Sequence, residues 1–199
     1  MLGVRKIFDK LNREANKVKI LFFGDSITDA GRNREEGSHI TTLGVGYVRV
    51  IADRLIGENP DQYEIINRGI SGNRVVDLYA RIKSDVWNLQ PDVVSSLSGI
   101  NDIWHEIDKQ NGVDIERFIN VYRMLIKDTL VALPNVRIIL CEPFVLPGIA
   151  TENTELMPNR YKKFCQVYQY AKAIKALAEE FGLEFLSLQE KFTYFLKNY

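Results

Sequence analysis

Short apolar runs alternate along this chain with longer stretches in which apolar residues recur at helical spacing. The runs are rich in β-branched and aromatic residues and are bounded by glycine, proline and polar positions, so each predicts a strand. They cover residues 18–23, 63–66, 92–97, 136–141 and 183–186. The amphipathic stretches predict helices over residues 46–56, 75–87, 115–133 and 160–181, and a further apolar helix is predicted over residues 189–199.

This alternation predicts a doubly wound three-layer α/β/α sandwich with a five-stranded parallel sheet. Parallel strands need long crossover connections, and the amphipathic stretches supply helices for them. Right-handed crossovers then place helices on both faces of the sheet. The chain has no internal repeat, low-complexity tract or Gly/Ser linker. We therefore predict one domain over residues 17–199, preceded by an amphipathic extension over residues 1–16.

Composition narrows the class of protein. The 199 residues are 46% hydrophobic and 26% charged, with 26 basic and 26 acidic side chains. This balance is typical of a globular protein, and it provides no field that would attract nucleic acid or an anionic membrane surface. The N-terminal residues lack the apolar core of a secretory signal, and no stretch approaches the length of a membrane helix. We expect a cytoplasmic protein.

Metal and cofactor sites are not predicted. Cys141 lies in an apolar run and Cys165 in a helical pattern, and neither has a histidine or second cysteine at ligand spacing. The glycine-containing segments lack the Lys-Ser/Thr ending of a phosphate loop. We expect no metal, no cofactor and no disulfide.

Candidate chemistry lies at the carboxyl ends of the strands, where ligands bind in sheets of this class. Ser26 ends the sequence G-D-S after the first run, while Gly72 follows the second run and Asn101 the third. An exposed Ser26 hydroxyl predicts a nucleophile, and the N–H groups of Ser26, Gly72 and the Asn101 amide predict an oxyanion hole. Each residue also has a structural explanation, as a cap or a turn residue. Asp102 fits the role of helix cap better than Asn101 does.

The chain resembles the SGNH hydrolases, also called the GDSL lipase/esterase family, over about residues 17–189. Residues 24–28 are similar to its first block, residues 69–73 to its glycine block and residues 99–102 to its G-x-N-D block. The resemblance implies a flavodoxin-like SGNH fold and a metal-free serine esterase. Ser26 then corresponds to the nucleophile, and Ser26, Gly72 and Asn101 to the oxyanion hole.

A narrower resemblance links the chain to carbohydrate acetylesterases. It rests on residues 29–32, 44–47 and 101–104. It implies hydrolysis of small acyl esters, acetyl groups on sugars among them, with a small-molecule ester as the partner.

The family's final D-x-x-H block, which carries the triad aspartate and histidine, is not present in this chain. The two histidines are His39, in a polar loop, and His105, four residues after Asn101. We expect the domain to be C-terminally incomplete, without its final helix, and weak or inactive in this form. Loss of the triad histidine costs about 10⁶ in kcat in subtilisin. The alternative is a non-catalytic binding protein that keeps the fold.

Three further residues are candidates for lining the pocket. Asp25 is expected to hold the turn by accepting a backbone N–H. Trp104 is equally compatible with a core position and with an aromatic platform for a sugar or acyl group. His105 shares a face with Asn101 if that segment is helical, and it is a weak candidate for a substitute base. Apolar surface left by a missing helix predicts self-association.

Overall fold

Five parallel strands form one sheet in the computed structural model, which describes residues 17–35 and 39–198. The strands are β1 (Val18–Gly24), β2 (Tyr63–Gly69), β3 (Val93–Leu97), β4 (Arg137–Cys141) and β5 (Glu184–Leu186). Their order is β2-β1-β3-β4-β5, and each neighbouring pair is parallel. The predicted five-stranded parallel sheet is confirmed. The predicted extension over residues 1–16 lies outside the described residues.

The order of the strands reverses at β1. The chain first adds β2 on one side of β1 and then returns to place β3 on the other side. In sheets of this kind the loops that follow the two strands at the reversal separate and open a crevice at the carboxyl edge. Ser26 follows β1 and Asn101 follows β3, so the strand order places both residues at this crevice.

The helices fall largely where the periodicity predicts them. They are α1 (Ser26–Asp29), α2 (His39–Thr42), α3 (Tyr47–Glu58), α4 (Val75–Asp85), α5 (Ile100–Lys109), α6 (Ile115–Ala132), α7 (Arg160–Phe164), α8 (Val167–Phe181) and α9 (Gln189–Asn198). The single helix predicted over residues 160–181 is wrong, because α7 and α8 are separate. The N–H of Gln166 donates to the carbonyl of Lys163 and the N–H of Tyr168 to that of Cys165, both at 3.2 Å. These tighter turns interrupt the α-helical pattern.

Helices cover both faces of the sheet. Consecutive side chains of β1 enter different clusters, because strand side chains alternate between faces. Phe23 belongs to the larger cluster, together with Leu78 of α4 and Ile126 of α6. Phe22 belongs to a smaller cluster with Val48 of α3. The predicted three-layer α/β/α arrangement is therefore confirmed.

The described part of α9 lies at the surface and buries no side chain. Its exposed apolar residues include Tyr194, Phe195 and Leu196. Its start is held by Glu142 at the end of β4, whose Oε2 accepts the N–H groups of Leu188 at 2.6 Å and Gln189 at 2.9 Å. Self-association through this surface stays a prediction. None of the helices within the described ranges is long and apolar enough to cross a membrane.

Candidate active site

Ser26 stands at the sharp turn between β1 and α1. Its neighbour Asp25 is the N-cap of α1, and Asp25 Oδ1 accepts the N–H of Ile27 at 3.0 Å. Gly24 is required before this turn, because a Cβ there would overlap the carbonyl oxygen of Leu97. Ser26 is exposed and is the first residue of the helix, where N–H groups have no intrahelical acceptor. The turn therefore presents both a hydroxyl and a backbone donor.

Asp25 lies beneath the turn that exposes Ser26. Its side chain is buried, and it is not among the residues that line the cavity beside Ser26. Burial raises the pKa of Asp25 to about 7. The predicted turn-holding hydrogen bond is confirmed, while the structure places the carboxyl group beneath the site and not in its lining.

Gly72 and Asn101 follow β2 and β3, at the same edge of the sheet as Ser26. Gly72 has a φ of 83°, which favours glycine, and lies in the loop that joins β2 to α4. Asn101 lies in the first turn of α5, and its Nδ2 donates to the carbonyl of Asn73 at 3.1 Å. An amide nitrogen carries two hydrogens, so one donor remains for a ligand.

A cavity of about 310 Å³ unites these elements. Its lining residues are Ser26, Asn101, Trp104, His105, Asp108 and Lys109. Gly72 borders it, because the position of a Cβ on Gly72 lies 3.8 Å from Nε2 of His105. The structure therefore brings Ser26 and Asn101 to one cavity, with Gly72 beside the lining residue His105. A larger cavity of about 950 Å³ lies on the other side of α5 and does not contain Ser26.

A buried carboxylate connects the serine helix to the glycine loop. Asp29 Oδ2 accepts the N–H of Ser71 at 2.9 Å and its hydroxyl at 3.0 Å. Arg34 also donates to this oxygen at 3.1 Å. Burial alone would raise the pKa of Asp29, but the hydrogen bonds from Ser71 and Arg34 lower it below its usual value. No local sequence pattern predicts this contact, and Asp29 enters the sequence comparison only through residues 29–32 of the narrower resemblance.

Arg81 of α4 connects the carboxyl end of β1 to that of β2. Its guanidinium donates to the carbonyl of Gly24 at 3.1 Å and to that of Arg68 at 2.9 Å. Its Nε donates to the side chain of Asn73 at 2.7 Å, next to Gly72. The only sequence signal is the spacing from Asp85, which resembles an ordinary surface ion pair on a helix.

The prediction that Asp102 caps its own helix is wrong. Gly99 is the N-cap of α5, with a φ of 137°. Asp102 instead reaches across to α4, where its Oδ1 accepts the N–H of Val75 at 3.0 Å. Burial raises the pKa of Asp102 to about 8. The residue joins the helix that carries Asn101 to the helix that follows Gly72.

His105 does not complete a triad. His105 lies on the same face of α5 as Asn101, as predicted, and lines the cavity. Burial and the neighbouring positive charges of Lys109 and Arg74 lower its pKa. Within the described ranges no carboxylate hydrogen-bonds to His105, so it lacks the orientation that a triad histidine needs. His39 is the first residue of α2.

Known proteins share both the sequence and the fold. Residues 22–198 match the GDSL-like lipase/acylhydrolase family. An acetylxylan esterase from Geobacillus stearothermophilus is 38% identical over 186 residues, which cover 90% of this chain and 80% of that protein. A crystal structure of an acetylxylan esterase from that organism has a TM-score of 0.75 at 37% identity and covers 91% of this chain and 80% of the other.

Two further sets of structures are informative. A structure described as a GDSL-like lipase from Parabacteroides merdae has a TM-score of 0.79 at 38% identity, over 92% of this chain and 83% of that one. Structures of the Geobacillus enzyme also include catalytic mutants in which a serine, an aspartate or a histidine is replaced by alanine.

Proposed function

The chain belongs to the GDSL-like lipase/acylhydrolase family and is a carboxylic-ester hydrolase, and on this premise we propose that Ser26 is its nucleophile. The observation that carries the assignment is the shared cavity of Ser26 and Asn101, which follow neighbouring strands of the sheet. An exposed hydroxyl beside a neutral amide donor is the arrangement that acyl transfer requires.

The proposed reaction proceeds through an acyl-serine. Ser26 Oγ attacks the ester carbonyl carbon, and its proton passes to a general base and then to the departing alcohol. The negative charge on the carbonyl oxygen is stabilised by the N–H groups of Ser26 and Gly72 and by the Asn101 amide. Water then hydrolyses the acyl-serine and restores the hydroxyl. Asp29 and Arg81 hold the loops that supply these donors.

The proposed substrates are acetyl esters of sugars. The acetylxylan esterase relatives support this class. The cavity supports it as well, because its surface is mixed: apolar atoms, those of Trp104 among them, lie beside the polar groups of the other five lining residues. A long acyl chain would need an apolar channel, whereas hydroxyl groups of a sugar find donors and acceptors here.

Turnover of p-nitrophenyl acetate tests the nucleophile. The residues from β5 to Tyr199 contain no D-x-x-H block, so we expect slow turnover by these 199 residues and a clear increase when imidazole supplies the general base. Mass spectrometry of the quenched reaction should detect one acetyl group on the peptide that contains Ser26. Ser26→Ala should abolish the acetyl label and reduce turnover to the background rate of free imidazole, which itself cleaves this ester. Equal, imidazole-stimulated turnover by the alanine variant would contradict the assignment.

A non-catalytic binding protein is the second candidate, and it is favoured by His105, the histidine of the cavity, which forms no hydrogen bond with a carboxylate within the described ranges. This function predicts saturable binding of acetylated sugars with no acetyl transfer to Ser26, with or without imidazole. The two functions are therefore separated by the same mass measurement.

A further inference from the structure

One wall of the cavity is held by a closed ring of contacts between α5 and α7. Trp104 and Asp108 lie one turn apart on α5, and the indole N–H of Trp104 donates to Asp108 Oδ2 at 2.7 Å. The guanidinium of Arg160, on α7, donates to both carboxylate oxygens of Asp108. A two-point contact of this kind fixes the orientation of both groups.

Phe164 completes the ring. The guanidinium of Arg160 lies over the ring of Phe164, 5.2 Å from its centroid. The ring of Phe164 meets that of Trp104 edge to face, with centroids 5.2 Å apart and an interplanar angle of 85°. Phe164 is fully buried. The indole of Trp104 is therefore held at its N–H by Asp108 and against its ring system by a rigid core residue.

We propose that Trp104 forms the wall of a carbohydrate subsite beside Ser26, and that Asp108 and Arg160 are positioning residues that hold this wall. The inference rests on the proposed function and names the place where the sugar ring binds. A pyranose ring presents C–H groups on its faces and hydroxyl groups at its edge. The indole suits the C–H groups, and the side chains of His105 and Lys109 suit the hydroxyls.

The other tryptophan shows what a purely structural role looks like. Trp87 donates its indole N–H to the hydroxyl of Thr129 at 3.1 Å and does not line the cavity. Trp104 also packs against the core, but it shares the cavity with Ser26 and Asn101. A side chain needed only for packing requires no ion pair to orient it. Trp104 is instead oriented by Asp108, which is paired with Arg160 on a separate helix. The Nε of Arg160 also donates to the carbonyl of Ala150 at 3.2 Å.

Tryptophan fluorescence tests the subsite without requiring turnover. The chain has two tryptophans, so Trp87→Phe leaves Trp104 as the only one. Titration of this variant with xylobiose and with acetylated xylobiose should change the Trp104 emission in a saturable manner. An emission that does not change at any sugar concentration overturns the proposal.

The positioning residues are tested in the same background. Asp108→Asn and Arg160→Lys should each raise the sugar Kd about ten-fold or more, because each breaks the two-point contact between a guanidinium and a carboxylate. Both should also shift the emission of the free protein, since the acceptor or orientation of the indole N–H changes. Glu180→Gln breaks an exposed ion pair with Arg123, neither of which lines the cavity, and should leave the Kd unchanged. Equal Kd values for all three variants would overturn the positioning role.

The subsite and the catalytic assignment fail in different ways. If Ser26 is acetylated but the Trp104 emission does not change with sugar, the subsite proposal is contradicted and the esterase assignment stands. If sugar changes the Trp104 emission saturably but Ser26 is not acetylated, the assignment of Ser26 as nucleophile is contradicted and the subsite proposal stands.

Discussion

Asp29 and Ser71 are joined by two hydrogen bonds to one carboxylate oxygen, from the backbone N–H at 2.9 Å and from the hydroxyl at 3.0 Å. Asp29 belongs to the helix that begins at Ser26, and Ser71 precedes Gly72. The distance between two proposed oxyanion donors therefore depends on a side chain that lies outside the cavity lining. Oxyanion stabilisation depends on donors that are placed before the reaction begins.

Asp29→Asn should cost more free energy in the activation barrier for kcat than in the free energy of unfolding. The amide keeps the shape but has only one oxygen, so it cannot accept every donor that now faces Asp29, and the loop of Gly72 should shift. We expect a loss of roughly 10²-fold in imidazole-supported turnover of p-nitrophenyl acetate, as for small misplacements of catalytic groups. Arg34→Ala is the control, because it removes only the exposed partner of the same carboxylate. Equal kcat values for the two variants would contradict this role.

Asn101→Ala should remove one oxyanion donor. The expected loss is about 10²–10³ in kcat with a small change in KM, as for the loss of one such donor in subtilisin. Steady-state kinetics on p-nitrophenyl acetate measure both constants. Asn120→Ala is a matched control on the exposed surface of α6. A loss expressed only in KM would show that Asn101 binds the substrate equally in the ground state, contrary to the proposal.

Periodicity was sufficient to predict the sheet because each strand is a short apolar run between helical segments. It also predicted that Ser26, Gly72 and Asn101 follow strands at one edge of the sheet, since the carboxyl ends of parallel strands share that edge. The family resemblance depended on those same three short blocks. The break at Cys165 could not be predicted in this way, because residues 160–181 keep an apolar periodicity through it.

Local sequence patterns do not predict the long-range polar contacts. Asp102 follows a strand and precedes a helical pattern, which is the local signature of a cap. Its actual partner, the N–H of Val75, is 27 positions away. Arg160 and Asp108 are 52 positions apart, and no local spacing relates them. Such pairs are determined by how helices pack on the sheet, which local periodicity does not encode.

Asp102→Asn should flatten the dependence of stability on pH. Burial raises the pKa of Asp102 from 3.8 to about 8, so the folded state binds this proton more tightly than the unfolded chain does. The resulting stability is complete below about pH 4 and is lost as the pH rises through about 8. Asparagine still accepts the N–H of Val75 but carries no charge at any pH.

Urea unfolding at pH values from 4 to 9 measures this effect. The wild-type midpoint should fall across the range, and that of Asp102→Asn should fall less. Asp53→Asn serves as the control, because its carboxylate is exposed and 59% of its side chain is accessible. Parallel pH profiles for the wild type and Asp102→Asn would show that Asp102 is ionised in the folded state throughout.

Gly69→Ala should disrupt the fold next to the active site, whereas Gly57→Ala should not. A Cβ on Gly69, the last residue of β2, would overlap the backbone of Thr28 and Asp29. Backbone on both sides cannot yield as a flexible side chain would, so the serine helix must move away from the sheet. We expect the free energy of unfolding to fall by about 3 kcal/mol, near the upper end for overpacking, and turnover to fall as well.

Gly57 lies in α3, and a Cβ there would meet no atom within 4 Å. The same substitution at this position should stabilise the protein by about 0.5–1 kcal/mol through helix propensity alone. The two variants differ in position but not in chemistry, so urea midpoints compare them directly. If Gly69→Ala proved as stable and as active as Gly57→Ala, the close contact between β2 and the helix of Ser26 would not exist in solution.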